Sequence, residues 1–89
     1  MTTITQIGSW FDLGVAEGKT HLIVVCDTFD HEDYPVFAKG DEEALNKYEN
    51  YNGLNMQRVM EVYDLRKPKD PQIRELRAMH LPKKKQKRI

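Results

Sequence analysis

The stretch His21-Leu22-Ile23-Val24-Val25-Cys26-Asp27-Thr28-Phe29 decides the fold that this 89-residue sequence predicts. It is rich in β-branched and other apolar residues, which is typical of a β-strand. Successive side chains of a strand point to opposite faces, and both alternating sets of this stretch are largely apolar. We therefore expect a central strand that is covered on both faces, with residues 22–26 nearly inaccessible to solvent.

A helix is predicted before this strand and a second strand after it. Ser9 and Asp12 can satisfy free backbone N–H groups at a helix start, so we predict a helix over residues 10–17. Residues 34–39 form the predicted second strand, which an acidic hairpin loop joins to the first. Pro35 cannot donate a ladder hydrogen bond, and this strand is therefore expected at an edge of the sheet.

The rest of the chain predicts a helix, a strand and a last helix. Asp41 is expected to cap the first of these helices. Residues 56–65 fit both helical spacing and strand composition, and we favour a strand because it completes a natural crossover. Asp70-Pro71 is typical of a helix start, so the last helix is predicted over residues 70–80.

Together these elements predict a single small α+β domain over residues 1–81, with αββαβα connectivity. The expected three-stranded sheet has the order 2-1-3, which is half of a ferredoxin-like arrangement. Residues 82–89 are interpreted as a basic, disordered tail. Because three short helices offer little cover for a sheet with two apolar faces, a homodimer or a permanent partner is also expected.

Composition favours a cytoplasmic protein that does not insert into membranes. The longest apolar run, residues 22–26, is far shorter than a membrane span, which needs about 20 residues. The first residues lack the basic start and apolar stretch of a secretion signal. Cys26 has no second cysteine to pair with, and we interpret it as a buried thiol in a reducing compartment.

The net charge of zero hides a strong division of charge along the chain. Residues 1–50 contain ten acidic and three basic residues, whereas residues 51–89 contain four acidic and eleven basic residues. Such a chain presents surfaces of opposite sign, each of which steers a different kind of partner. This division favours a binding protein over an enzyme, and we predict no catalytic residue, no cofactor and no metal site.

The acidic hairpin loop is the predicted partner-binding surface. Two other interpretations stay open, because aspartate also favours exposed turns and because carboxylates beside a histidine suit Mg²⁺ or Mn²⁺ in a metal-dependent hydrolase. The loop matches no calcium-binding spacing. The residues predicted to contact a partner are Asp27, Asp30, His31, Glu32, Asp33 and Tyr51.

The basic tail is the alternative candidate site. Its side chains can neutralise phosphates without reading sequence, so they favour contact with RNA, DNA or a ribosome. A solubilising terminus explains the same residues. No aromatic side chain alternates with the basic ones, which argues against stacking on single strands. The candidate nucleic-acid contacts are Lys83, Lys84, Lys85, Lys87 and Arg88.

Four stretches of the chain carry a resemblance to a known group of proteins. They are WFDLGVAEGKTH at 10–21, VVCDTFD at 24–30, EDYPV at 32–36 and NMQRVMEVYDL at 55–65. These stretches resemble a family of small uncharacterised proteins of bacteria and their phages. The resemblance implies a small accessory or phage-encoded protein, and it implies no activity and no residue role.

Taken together, the sequence predicts a non-enzymatic binding protein that docks on a larger protein or nucleoprotein complex through its acidic surface. In a phage context this protein would inhibit a host defence or nucleic-acid-handling complex. The alternatives are a nucleic-acid- or ribosome-associated protein anchored by the tail, and a metal-dependent hydrolase that uses the acidic loop.

Overall fold

The computed structural model describes residues 3–53, 56–75 and 77–82. The chain forms a three-stranded sheet in the order β2-β1-β3, so the predicted order, the αββαβα connectivity and the strand over residues 56–65 are confirmed. The elements are α1 (Ile4–Ala16), β1 (His21–Asp27), β2 (Glu32–Ala38), α2 (Asp41–Tyr51), β3 (Gln57–Asp64) and α3 (Lys69–Ile73).

Strand β1 lies at the centre of the sheet and is antiparallel to both neighbours. The β1–β2 pair is joined by the hairpin, with Asp27 opposite Glu32, and the β1–β3 pair has a register shift between Val24 and Val25. Pro35 lies on the outer strand β2, where its missing N–H costs no central ladder bond. The predicted edge position of β2 is therefore confirmed.

The two faces of β1 belong to two separate apolar clusters. Leu22 and Val24 pack under α1, whereas Ile23 and Val25 pack on the face that α2 covers. All four side chains are fully inaccessible, as predicted. One chain therefore covers both faces of β1 without a second copy, so burial of this strand gives no reason for the homodimer, which stays a prediction.

The prediction of a buried Cys26 is wrong. Cys26 is half-buried because it lies near the hairpin end of the sheet, where its neighbours across the sheet are the polar residues Asp33 and Arg58. Its Sγ lies 3.7 Å from the carbonyl oxygen of Asp27. Desolvation and the nearby Asp33 carboxylate raise the pKa of the thiol, so it is not an activated nucleophile.

Helix α1 begins six residues earlier than predicted, and Ser9 is not its cap. The hydroxyl of Thr3 accepts a hydrogen bond from the backbone N–H of Gln6 at 3.1 Å, and this contact starts the helix. Ser9 lies inside the helix, and Asp12 pairs with Lys69 at 3.0 Å. The earlier start has a physical reason, because it places Ile7 in the buried cluster one helical turn before Phe11.

Helix α2 covers the other face of the sheet, and its start also differs from the prediction. The N-cap position is occupied by Gly40, whose φ of 98° suits glycine, and no side chain caps the helix. Asp41 is the first helical residue instead of the cap. Its carboxylate reaches across to Arg66, a contact that sequence spacing does not reveal.

The long last helix predicted over residues 70–80 is wrong. Helix α3 ends at Ile73, and the backbone around Met79 pairs with β3 through a parallel bridge to Val62. The Val62 N–H donates to the Ala78 carbonyl, and the His80 N–H donates to the Val62 carbonyl, each at 2.9 Å. Strand β3 is an outer strand, so this segment pairs with backbone N–H and carbonyl groups on its free edge that a continued helix would leave unpaired. Leu76 and residues 83–89, which are the predicted tail without Pro82, lie outside the described residues.

No helix in the described part of the chain combines the length and the apolar character that a membrane crossing requires.

Candidate functional site

The hairpin tip, defined as residues 28–33 together with Met56, lies at one end of the sheet. Asp27 shapes this tip, since its Oδ1 accepts hydrogen bonds from the backbone N–H groups of Phe29 at 2.9 Å and Asp30 at 3.3 Å. Such a turn is a common use of aspartate. Asp27, one of the residues predicted to contact a partner, therefore uses its carboxylate to stabilise the loop.

Two large apolar side chains stand exposed at the hairpin tip. Phe29 is 71% exposed and Met56 is 59% exposed. The backbone N–H and the hydroxyl of Thr28 both donate to the Met56 carbonyl at 2.8 Å, which ties the loop to the residue before β3. The sequence analysis missed this pair. The sequence did contain an indication of Phe29. It is an aromatic residue inside an otherwise polar turn, and no apolar residue alternates with it there.

The remaining predicted contacts divide into two groups. Asp30, His31 and Glu32 are exposed around the tip, whereas Asp33 is half-buried beside the Cys26 thiol. Tyr51 does not join them, because it packs half-buried on the α2 face of the sheet. Its ring meets Tyr34 edge-on, with 6.5 Å between ring centroids.

A cavity of about 510 Å³ opens at the end of the sheet where β1 begins and β3 ends. Chain positions far apart in sequence meet there, because β1 enters the sheet beside the last residue of β3 and the first residue of α2. The sequence analysis did not identify this site. Its lining residues are His21, Asp41, Asp64, Arg66, Lys67, Met79, His80, Leu81 and Pro82.

An ion network joins three of these side chains. Nε and Nη2 of Arg66 donate to the two carboxylate oxygens of Asp64 at 3.0 and 3.1 Å, and Nη2 also donates to Oδ1 of Asp41 at 2.8 Å. Burial alone would raise the pKa of the Asp64 carboxyl, but the side-chain and backbone hydrogen bonds from Arg66 outweigh it and lower that pKa. Asp64 is therefore a buried carboxylate held in its charged form.

His21 completes the wall of the cavity and is left with an unsatisfied nitrogen. Its side chain is 0% exposed, and its Nδ1 lies 2.8 Å from the hydroxyl of Thr20. Its Nε2 finds no hydrogen-bond partner in the described residues and lies 3.9 Å from Oδ1 of Asp41. A buried imidazole nitrogen without a partner is uncommon, because leaving it unpaired costs free energy.

The imidazole of His21 is neutral at pH 7. Desolvation by burial is the main cause that lowers its pKa below 6.5, and the charges of Arg66 and Lys67 act in the same direction. The carboxylates of Asp64 and Asp41 oppose this shift without cancelling it.

Acidification below pH 6.5 is expected to destabilise the folded protein through His21. The unfolded chain takes up a proton at the ordinary pKa of 6.5, whereas the folded chain resists protonation. The stability that neutral His21 contributes is therefore complete above pH 6.5 and is lost as the pH falls toward the lower folded-state pKa. Urea unfolding across this range, with an NMR titration of the His21 imidazole, checks the prediction. A folded-state pKa of His21 at or above 6.5 would contradict the prediction.

In the described residues, no three His, Cys, Asp or Glu side chains are grouped so that they could hold a metal ion. The absence of tight metal binding at the acidic loop stays a prediction, for which calorimetric titration with Mg²⁺ and Mn²⁺ is the direct measurement.

Comparison of the chain with protein families, with curated proteins and with solved structures gives no match. The resemblance to small bacterial and phage proteins therefore stays a prediction. The function has to be argued from the two ends of the sheet.

Proposed function

We propose that this chain is a non-enzymatic binding protein that docks through its hairpin tip on a partner protein with a basic surface around an apolar pocket. The observation that carries the proposal is the exposure of Phe29, which is 71% accessible beside the acidic side chains of Asp30 and Glu32. Large aromatic side chains that a partner can bury are typical anchors of protein interfaces.

The chemistry of the hairpin tip suits such an anchor. Burial of a phenylalanine side chain contributes about 2 kcal/mol of transfer free energy. The surrounding carboxylates accelerate encounter with a basic surface and disfavour acidic ones. The same arrangement argues against a nucleic-acid backbone as the occupant of the tip, since phosphates would be repelled.

The backbone of the tip is also organised before a partner arrives. His31 and Met56 both have φ of 58°, a left-handed conformation that is uncommon for residues with a side chain. Hydrogen bonds from the loop to Asp27 and from Thr28 to Met56 hold this conformation. Because an ordered loop loses less entropy on binding, these contacts favour recognition.

The proposal is tested by capture of partners from the native host with tagged variants, followed by affinity measurements on each purified partner. Phe29→Ser and the double reversal Asp30→Lys/Glu32→Lys are expected to abolish the capture of the partner. Two controls likewise replace an exposed apolar side chain with serine and reverse two acidic charges, at positions outside the tip. They are Leu13→Ser and the double reversal Glu17→Lys/Glu42→Lys, and both are expected to retain the partner.

A partner that binds the tip variants as well as the wild-type protein would contradict the proposal. The nucleic-acid alternative has a different signature, in which deletion of residues 83–89 removes binding and the tip variants keep it. Under that alternative, affinity would also fall steeply with salt, with a logarithmic slope of about 0.9 for each duplex phosphate contacted.

The inhibition of a host defence or nucleic-acid-handling complex is a narrower form of the proposal. It follows from the resemblance to phage proteins and stays a prediction. The identity of the captured partner tests it.

A further inference from the structure

In the cavity at the other end of the sheet, one carboxylate oxygen lies near two side-chain nitrogen atoms. Oδ1 of Asp41 lies 2.8 Å from Nη2 of Arg66 and 3.9 Å from the buried Nε2 of His21. Only the first of these distances is a hydrogen bond. Oδ1 of Asp41 therefore accepts a hydrogen bond from the guanidinium, and Nε2 of His21 is left without a partner among the described residues.

The Asp41 side chain is the replaceable part of this arrangement. It is 57% exposed, whereas Asp64 is 8% exposed at its side chain and His21 is fully buried. Rotation of the Asp41 side chain into solvent would break its hydrogen bond to Nη2 of Arg66, which keeps its contact with Asp64, and would open the space beside this nitrogen and Nε2 of His21. The geometry thus describes a carboxylate-binding position that the chain fills imperfectly with one of its own side chains.

We propose that this cavity binds a small organic carboxylate, whose head group displaces Asp41 and accepts hydrogen bonds from both Arg66 and His21. His21 can supply the second donor. The Thr20 hydroxyl has one proton to donate, and it lies 2.8 Å from Nδ1 of His21 and 3.3 Å from the Ala38 carbonyl oxygen. When the hydroxyl donates to Nδ1, the shorter of the two contacts, the neutral ring carries its proton on Nε2.

The charges of the lining residues match a monoanion. With Asp41 turned outward, the described residues of the cavity wall keep two positive side chains, Arg66 and Lys67, against the one negative side chain of Asp64. His80 also lines the cavity, and its Nε2 makes a hydrogen bond with Oε2 of Glu75 at 2.5 Å. A single carboxylate restores neutrality, and a cationic ligand would add to the excess of positive charge.

The rest of the cavity suits an apolar body on the ligand. Met79, which is 48% exposed, forms part of the wall together with Leu81 and Pro82. A volume of about 510 Å³ falls within the range of pockets that hold small molecules. The expected ligand therefore has a carboxylate head and a compact hydrocarbon or aromatic body.

The test is an NMR titration of the isotope-labelled full chain with benzoate at constant ionic strength. We expect saturable shifts of the His21 imidazole and of the backbone amides of Asp41 and Arg66. Benzamide has nearly the same shape without the charge and should give no saturable shift. Asp41→Asn removes the competing carboxylate at an exposed position. It should tighten benzoate binding about tenfold, because benzoate no longer has to displace a charge-assisted contact between residue 41 and Arg66.

Asp30→Asn is the matched control, because it makes the same change of charge at the hairpin tip and should leave the benzoate affinity unchanged. The proposal is overturned if neither the wild-type protein nor Asp41→Asn shows saturable shifts. It is equally overturned if benzamide binds as well as benzoate, or if Asp30→Asn tightens binding as much as Asp41→Asn. Since the two sites lie at opposite ends of the sheet, none of these outcomes bears on docking through the hairpin tip.

Discussion

The substitution Val24→Asp is expected to unfold the domain. Val24 is fully inaccessible at the centre of β1 and packs in the apolar cluster under α1. An unpaired carboxylate at this position costs several kcal/mol, which is of the same order as the whole stability of a domain this size, about 5–13 kcal/mol. Circular dichroism with urea or thermal unfolding measures the loss.

The matched control for this substitution is Val15→Asp, the same chemical change at a residue of α1 that is 51% exposed. It should cost no more than about 1 kcal/mol, mainly because a negative charge is unfavourable near a helix C-terminus. Near-wild-type melting of Val24→Asp would refute the central placement of β1. Unfolding by both variants would show that the loss of stability does not depend on the burial of the substituted residue and would not support the placement.

The substitution Gln72→Glu is expected to destabilise the protein by several kcal/mol at neutral pH, because it removes donors from a buried network. Nε2 of Gln72 donates to the carbonyl oxygens of Asp64 at 2.8 Å, Pro68 at 2.9 Å and Lys67 at 3.3 Å. Oε1 accepts from the Asp64 N–H at 2.7 Å. A glutamate would direct a negative oxygen at these carbonyl groups, and each buried group left unsatisfied costs about 1–3 kcal/mol.

Two features make this prediction specific. Gln6→Glu makes the same change in the first turn of α1, where the residue is exposed and a negative charge is favourable, so it should be neutral or slightly stabilising. The difference in the free energy of unfolding between Gln72→Glu and the wild type should also become smaller as the pH falls, because a protonated carboxyl group regains one donor. A variant as stable as wild type at neutral pH would show that the network contributes little.

Much of the sheet follows from local sequence. The apolar run of residues 22–26 predicts a strand covered on both faces, since β-branched residues on both alternating sets suit a buried strand. Pro35 predicts an edge, and the acidic residues between the first two strands predict their hairpin. These features depend on the chemistry of neighbouring residues and could be read without the tertiary structure.

The errors in the helices have a common cause in tertiary contacts. Residues 78–80 lie along β3 and not in a helix, because Val62 offers backbone groups that only the assembled sheet exposes. The start of α1 follows from the burial of Ile7 against the sheet, and the capping residues in the sequence do not indicate this contact. Close tertiary packing also explains the glycine at position 14 of α1, because a Cβ there would lie 2.6 Å from Cδ1 of Leu65.

The two candidate sites also differ in how far local sequence predicts them. The acidic charge of the hairpin tip is local in sequence and was predicted, but the exposure of Phe29 depends on the turn that Asp27 builds. The cavity could not be predicted, because His21, Asp41 and Asp64 are separated by twenty residues or more and meet only through the order of the strands. By itself the sequence determined the central strand, the edge and the division of charge, which are properties of adjacent residues. The tertiary structure alone decided which polar groups became buried together, since burial and pairing depend on segments that are distant along the chain.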